Sequence, residues 1–231
     1  MSYNADFYRE LNGYSRSSAK VLVPKLIAKY SPKNIVDFGC GGGEFLVEFE
    51  KNNVSEILGL DGSWLPTHSR GRWFQEADLE NHVKLPIKYD MALCLEVAEH
   101  LPIGVAKILI NSLTRASDLI VFSAAIPGQG GTNHVNEQFP EYWADLFFQY
   151  GFELDWDPRI EIWREKNVAP WYRQNLLVYK RSNSPRVTPK YPARLRHPEI
   201  FPELQNVAQK VSRFFHRVLN KVKRLWWKLN H

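Results

Sequence analysis

The stretch Val36-Asp37-Phe38-Gly39-Cys40-Gly41-Gly42-Gly43-Glu44-Phe45 closes a short apolar run in a cluster of glycines and then turns amphipathic. That order describes a strand, a tight turn and the start of a helix. Glycines let the backbone take the turn and approach a ligand closely, and the free amides of the following helix N-terminus favour an anionic group. A nucleotide-like cofactor is implied. A dinucleotide fingerprint, G-x-G-x-x-G, needs a third glycine to pack helix against strand. Counting from Gly39 and Gly41 that place falls on Glu44, and counting from Gly41 and Gly43 it falls on Leu46. The spacing is instead G-x-G-x-G. Asp37, two residues before the first glycine, suits a cationic ammonium group or the orientation of the turn, and would repel a pyrophosphate.

Further segments follow in order. Ser55 to Gly62 (SEILGLDG) reads as a second strand ending in an acid, and Asp61 stands about where a ribose-binding carboxylate is expected. Phe74 to Leu79 (FQEADL) and Tyr89 to Leu101 (YDMALCLEVAEHL) complete the set. Together with Asp37 and the glycines, these strings resemble the S-adenosylmethionine-dependent methyltransferases of the Rossmann-like class, small-molecule type. The resemblance implies S-adenosyl-L-methionine as cofactor. It places the methionine end at Asp37, Phe38, Gly39, Cys40, Gly41 and Gly43, and the ribose at Asp61 and Gly62. The adenine falls against Ala77, Asp78 and Leu79, with Asp78 accepting from the exocyclic amine. Glu96, Val97 and His100 of the E-V-x-E-H-L string line the same pocket.

The chain has 231 residues, 44% of them hydrophobic, enough for one α/β core with an appendage. Cys40 and Cys94 are the two cysteines, and their spacing suggests neither a disulfide framework nor a metal site, so no metal is expected. No signal-peptide pattern or spanning apolar run is visible, and a cytoplasmic location is expected. The net charge of +5 divides unevenly. Residues 182–231 hold 11 Lys or Arg against two acids, a net +9, which leaves residues 1–181 at −4. An acidic body lacks the phosphate-binding track of a nucleic-acid enzyme, and it has no N-P-P-Y motif, so nucleic acid is disfavoured as acceptor.

The periodicity predicts a helix over Ser15 to Tyr30, with Ser17 or Ser18 as caps and Pro24 as a kink or restart. Strands are expected at Asn34–Phe38, Ile57–Leu60, Trp73–Glu76, Met91–Leu95, Leu119–Ser123, Phe152–Trp156 and Asn175–Lys180. Helices are expected at Gly43–Lys51, Pro102–Arg115 and Pro140–Tyr150. This alternation specifies an α/β fold with a doubly wound, mostly parallel sheet. The resemblance adds that it is seven-stranded, with an antiparallel last strand. The domain is expected to span 1–181.

Methyl transfer from a sulfonium is an in-line displacement, for which the protein must mainly hold the nucleophile and exclude water. An alcohol also needs a base, and histidine titrates near neutral pH. The loop after the fifth strand, Ala125 to Phe139, would emerge at the carboxyl edge of the sheet, where such folds bind ligands. It contains His134, the expected general base, with Glu137 as its orienting partner. Gln129, Asn136, Gln138, Trp143, Trp171 and Tyr172 are the expected acceptor contacts. Aromatic faces beside amides suit a sugar ring, and the string P-G-Q-G-G-x-x-H-V-N-E-Q resembles a bacterial methyltransferase subgroup associated with glycans and natural products. O-methylation of a saccharide, a glycan precursor or a related small molecule is the expected reaction. The alternatives are a silent cofactor-binding scaffold tethered by its tail and a nucleic-acid methyltransferase.

Five prolines between 185 and 202 make 182–202 an extended linker. Beyond it, 203–231 reads as an amphipathic helix. Val207, Val211, Phe214, Val218, Leu225 and Leu229 fall on one arc, and Lys210, Arg213, Arg217, Lys221 and Lys228 flank it. Such a helix fits an anionic membrane surface at the inner face, its own body, a homodimer seam or nucleic acid.

Overall fold

A computed structural model of the chain describes residues 5–63, 71–182 and 190–202, with side chains from residue 13. The first compact unit runs to Leu195 and the second comprises residues 196–231. In chain order the first unit contains α1 (Ala5–Tyr30), β1 (Asn34–Phe38), α2 (Glu44–Lys51), β2 (Glu56–Asp61), β3 (Phe74–Glu76) and β4 (Met91–Leu95). After two short 3₁₀ turns come α3 (Ala106–Ala116), β5 (Leu119–Ser123), α4 (Pro140–Gln149), β6 (Phe152–Trp156), α5 (Arg159–Ile162), α6 (Pro170–Asn175) and β7 (Leu177–Arg181).

Among the described residues the seven strands form one sheet in the order β3-β2-β1-β4-β5-β7-β6. The first five pair in parallel, and β7 runs antiparallel to both neighbours. This is the Rossmann-like fold the motifs implied. Successive residues of a strand face opposite sides, so each strand serves two cores. Ile35, Met91, Leu93 and Val121 pack on one face with Leu22 and Leu26 of α1 and Phe45 and Phe49 of α2. Val36, Phe38, Ala92, Cys94 and Phe122 pack on the other with Leu109 and Leu113 of α3 and Phe147 of α4. Cys40 and Cys94 are buried free thiols.

Helix placement follows the apolar spacing. Leu109, Ile110, Leu113 and Ala116 share one side of α3, and Trp143, Ala144 and Phe147 one side of α4, which Pro140 starts and Gly151, at φ 79°, ends. Glu44 sits in the first turn of α2, where the helix dipole favours a carboxylate, and Arg16 of α1 holds it through bonds of 2.9 and 3.1 Å.

Some expectations need correction. Helix α1 begins well before Ser15 and continues through Pro24, and Ser17 and Ser18 are interior residues rather than caps. Their hydroxyls donate back to the Tyr14 carbonyl at 2.9 and 2.7 Å, the bond an interior helical serine makes. Asn175 belongs to α6 rather than to the last strand, because Pro170 at the first helical position starts a helix that ends only there.

The first unit also extends past residue 181. Tyr191 donates to Asp145 at 2.8 Å, and Arg194 pairs with Glu141 at 2.6 Å. Arg159, wholly buried, donates to the Ala193 carbonyl at 2.9 Å and is paired with Asp157 at 2.7 and 2.6 Å. In the second unit, Phe201 donates its amide to the His197 carbonyl at 2.9 Å. The expected helix over 203–231 lies outside the described residues.

A buried guanidinium needs its counter-charge. Replacing Asp157 with Ala should therefore lower unfolding stability by about 3 kcal/mol, measured by urea denaturation. A loss below about 1 kcal/mol would show that Arg159 is satisfied without it.

Candidate active site

The sheet order reverses direction between β1 and β4, and the loops leaving their carboxyl ends diverge there to leave a crevice. The glycine turn leaves β1 on one side, and the Glu96–His100 turn leaves β4 on the other. Their approach depends on Gly39, at φ 82°, since a Cβ there would stand 2.3 Å from Val97 Cγ2. Gly41 is different: a Cβ there would meet no protein atom within 4 Å, so its Cα borders open space.

Two acids stand under the turn. Asp61 at the end of β2 accepts from the amides of Gly41 and Gly62, each at 2.7 Å. Those bonds orient its carboxylate beneath the turn. Asp37 is 4% exposed, and its Oδ1 has no hydrogen-bond partner. Burial, and then the charge of Asp61, push its carboxyl up to about 7. A buried acid with an orphaned oxygen is a counter-ion waiting for a cation, which a ligand's ammonium group would supply. The glycine cradle, the ribose-suited Asp61 and the orphaned Asp37 therefore fit S-adenosylmethionine. Phe38 is buried in the core, and Cys40 beside the turn packs in the opposite one.

The expected adenine segment follows β3. Ala77 donates its amide to the Asp61 carbonyl at 2.8 Å, and Leu79 is buried. Asp78 is exposed, and its carboxylate accepts from the Glu80 amide at 2.9 Å and the Asn81 side chain at 2.7 Å. This local turn fixes the carboxylate at the rim.

Across the crevice, Glu96 takes φ 54°, a left-handed conformation uncommon for a residue with a side chain and frequent at functional sites. Its amide donates to Ser123 at the end of β5, and its carboxylate accepts from Asn175 at 3.1 Å and from Gln129 at 3.2 Å. Gln129 in turn accepts from Gln174 at 2.8 Å and Asn175 at 3.0 Å. Burial raises Glu96, while the bonds from Asn175, Ser123 and Gln129 pull it back. Glu99, fully buried, is raised well above the carboxylate range by burial and then by the charge of Glu96. Of this pair, Glu99 holds the proton more tightly.

The long loop folds back over the same turn. The amides of Val135 and Asn136 donate to the Glu99 carbonyl at 2.8 and 3.0 Å, which sets His134 edge-on to His100 with ring centroids 4.9 Å apart. His134 Nδ1 lies 3.0 Å from Glu137 Oε1, and Glu137 accepts from the amides of Gly128 and Gly130 at 2.8 Å each. The expected pair is therefore in contact, with the Nδ1 edge of the ring turned to the Glu137 carboxylate. Although the residue is exposed, partial desolvation of the His100 ring, and then His134, lower its titration.

Four expected acceptor contacts have structural duties instead. Trp143 is 2% exposed and packs against Phe122, because α4 turns that face inward. Tyr172 is 4% exposed, packed on Phe45 with its hydroxyl 3.4 Å from that of Ser15. Asn136 is buried and donates to the Ala98 carbonyl at 3.4 Å, and Gln138 donates to Asn136 at 3.0 Å, so both pin the loop. Trp171 is half-buried against Tyr14. Of the expected contacts, Gln129 alone among these six joins the polar cluster at Glu96. Gln174 and Asn175 were missed as site residues. The signal available was a Gln-Asn pair directly before an apolar strand, where two adjacent amides have no packing reason to stand.

Residues 13–120 match the family model described as a methyltransferase domain. A ubiquinone biosynthesis O-methyltransferase of Yersinia pestis is 33% identical over 30% of this chain and 33% of its own, so the chain spans about a third of the length of the curated relatives it matches. Among solved structures, the magnesium protoporphyrin IX methyltransferase of Synechocystis PCC 6803 with bound SAM aligns with a TM-score of 0.56 at 18% identity, covering 79% of this chain and 87% of that one. An amino pentose methyltransferase of Micromonospora echinaspora, also SAM-bound, gives 0.58 at 14% identity, covering 79% and 99%. Both likenesses are of fold.

An ammonium ligand binds the ionised form of Asp37, so below its value of about 7 binding must expel a proton. Affinity for S-adenosylmethionine should rise with pH, by about fivefold from pH 6 to pH 7, and fall again above about pH 8 as the ligand's own α-amino group loses its proton. Asp37→Asn should lose at least about tenfold in affinity and also the pH slope, by calorimetric titration. An unchanged slope in the variant would remove Asp37 from the ammonium site.

Proposed function

We propose that this chain, which carries an S-adenosylmethionine-dependent methyltransferase domain of the Rossmann-like class, transfers the methyl group to a hydroxyl of a small polar acceptor, a saccharide or glycan precursor. The observation that carries this reading is the His134–Glu137 pair at the carboxyl edge of the sheet, pinned by Val135 and Asn136 to the turn that bears Glu96 and His100. An alcohol is a poor nucleophile until it begins to lose its proton, and a neutral imidazole held by a carboxylate accepts that proton as the oxygen attacks. The oxygen–carbon bond forms as the carbon–sulfur bond breaks, and the thioether leaves uncharged. The amides of Gln129, Gln174 and Asn175 support a polyhydroxylated acceptor, since they offer donors and acceptors beside Glu96.

A phenolic hydroxyl is the second reading, favoured by the identity to the ubiquinone biosynthesis O-methyltransferase. A phenol needs less help to ionise, so its rate should depend less steeply on pH. Among the described residues no helix is long and apolar enough to cross a membrane. The basic stripe of 203–231 supports a cytoplasmic chain resting on an anionic surface, where a lipid-linked acceptor would be presented.

His134→Gln should keep cofactor affinity within about twofold and lower turnover by about 100-fold or more at saturating cofactor. The measurement is release of S-adenosylhomocysteine across a panel of sugars and phenols. Normal turnover in the variant would end the proton-transfer role of His134. Separately, removing 203–231 should abolish co-sedimentation with anionic vesicles at low salt, and undiminished binding would end the membrane reading.

A further inference from the structure

The His134–Glu137 pair explains one imidazole and leaves two groups without a task. His100 stands edge-on to His134, and Glu99 lies buried beneath both. The ligand atoms of Glu99, His100 and His134 all lie within 4.8 Å of one another. Glu99 is fully buried; Oε1 accepts from the Ala125 amide at 3.2 Å, Oε2 has no donor, and the carboxyl lies within hydrogen-bonding reach of that of Glu96. A buried carboxylate oxygen without a donor costs free energy that a packed core would ordinarily avoid.

Both imidazoles have one nitrogen committed and one free. His134 Nδ1 is 3.0 Å from Glu137 Oε1, and a ring nitrogen of His100 donates to the Asn133 carbonyl. Metal-binding histidines characteristically give one N–H to a carboxylate or a carbonyl, which fixes the tautomer and presents the other nitrogen's lone pair. Gly131 permits this for His134, since at φ 150° a Cβ there would stand 2.3 Å from Nε2. Two ligands at about 2.1 Å from a common ion stand roughly 3 to 4 Å apart, so closing this site needs a shift of about 1 Å. His100, on the exposed side, has room to make it.

We propose that Glu99, His100 and His134 hold one divalent first-row cation, which binds the acceptor oxygen for the methyl transfer described above. The proposal rests on that reading and changes the part His134 plays in it. Two imidazoles and one carboxylate suit Mn2+, Fe2+ or Zn2+, and three protein ligands leave positions open for the acceptor. A hydroxyl bound there ionises near neutral pH and releases its proton to solvent, and the metal-bound oxygen attacks the methyl carbon while the sulfur departs with the carbon–sulfur electron pair. Glu96, whose carboxylate is held by Asn175 and Gln129, adds negative charge close by without giving up its own partners. The buried Glu99 then has a reason to lie where it does.

The test is titration of Mn2+ into the full chain after chelator treatment, followed by calorimetry and by the loss of the free-ion paramagnetic resonance signal. The expected result is one ion per chain, with affinity reduced at least about tenfold in His100→Gln and in Glu99→Gln. His100 is exposed, so its variant keeps the fold if Glu99→Gln does not. Cofactor affinity should stay within about twofold in the metal-free chain. Turnover should fall about 100-fold on chelation and return with Mn2+ or Zn2+. Failure to bind Mn2+ or Zn2+, or full turnover by the metal-free chain, would overturn the cation site while leaving the methyltransferase and a free His134 base intact. Failure of the underlying reading would show differently, as a chain that takes the ion but does not bind S-adenosylmethionine.

Discussion

The contact of the Gly39 backbone with Val97 is the constraint from which the site follows. Strands β1 and β4 are hydrogen-bonded neighbours, yet the chain leaves them in opposite directions. The two exit loops would close the crevice between them if either carried bulk at the crossing. A glycine in the left-handed conformation lets them touch and still diverge, with open space where a Gly41 Cβ would lie. Everything that binds or reacts is hung from these two loops. Asp37 precedes one and Glu96 opens the other. The β5–α4 loop joins them through the Glu99 carbonyl, which accepts two of its amides, and through Gln129 on Glu96.

Buried acid is the second theme. Asp37 and Glu99 sit at the feet of the two loops, each with a carboxylate oxygen that no protein group satisfies. Desolvation dominates at both and raises both. A chain selected for stability alone would replace such groups with apolar ones. Their retention makes sense when a positive charge arrives with a ligand, since the low dielectric that penalises the lone acid also strengthens its pairing. Hydrogen bonding separates their neighbours from them: Asp61 is held by two amides, and Glu96 by Asn175, Gln129 and Ser123.

Most of the fold was legible because a parallel sheet buried on both faces writes itself as short apolar runs, and β1, β4, β5 and β6 lie at the expected residues. The order of acids at strand ends made the cofactor side readable as well, because each needs only local sequence. Serines in α1 misled, since a hydroxyl that caps a helix in one place bonds to the preceding turn in another. Helices α5 and α6 were missed because each is barely a turn or two and carries no amphipathic period. The acceptor side was harder for a further reason. Whether Trp143 faces a ligand or Phe122 depends on how α4 rolls against the sheet, and no local pattern records that. The pairing of His134 with Glu137 was readable from proximity in sequence, whereas the approach of His100 to His134 required the loop to fold back.

The most direct test is a crystal structure of the full chain with S-adenosylhomocysteine. The ligand's ammonium group should lie on Asp37 Oδ1, its ribose hydroxyls on Asp61, and its sulfur facing the loop that carries His134. A ligand bound elsewhere, or one whose ammonium group lies away from Asp37, would contradict the assignment of this cleft to a sulfonium cofactor.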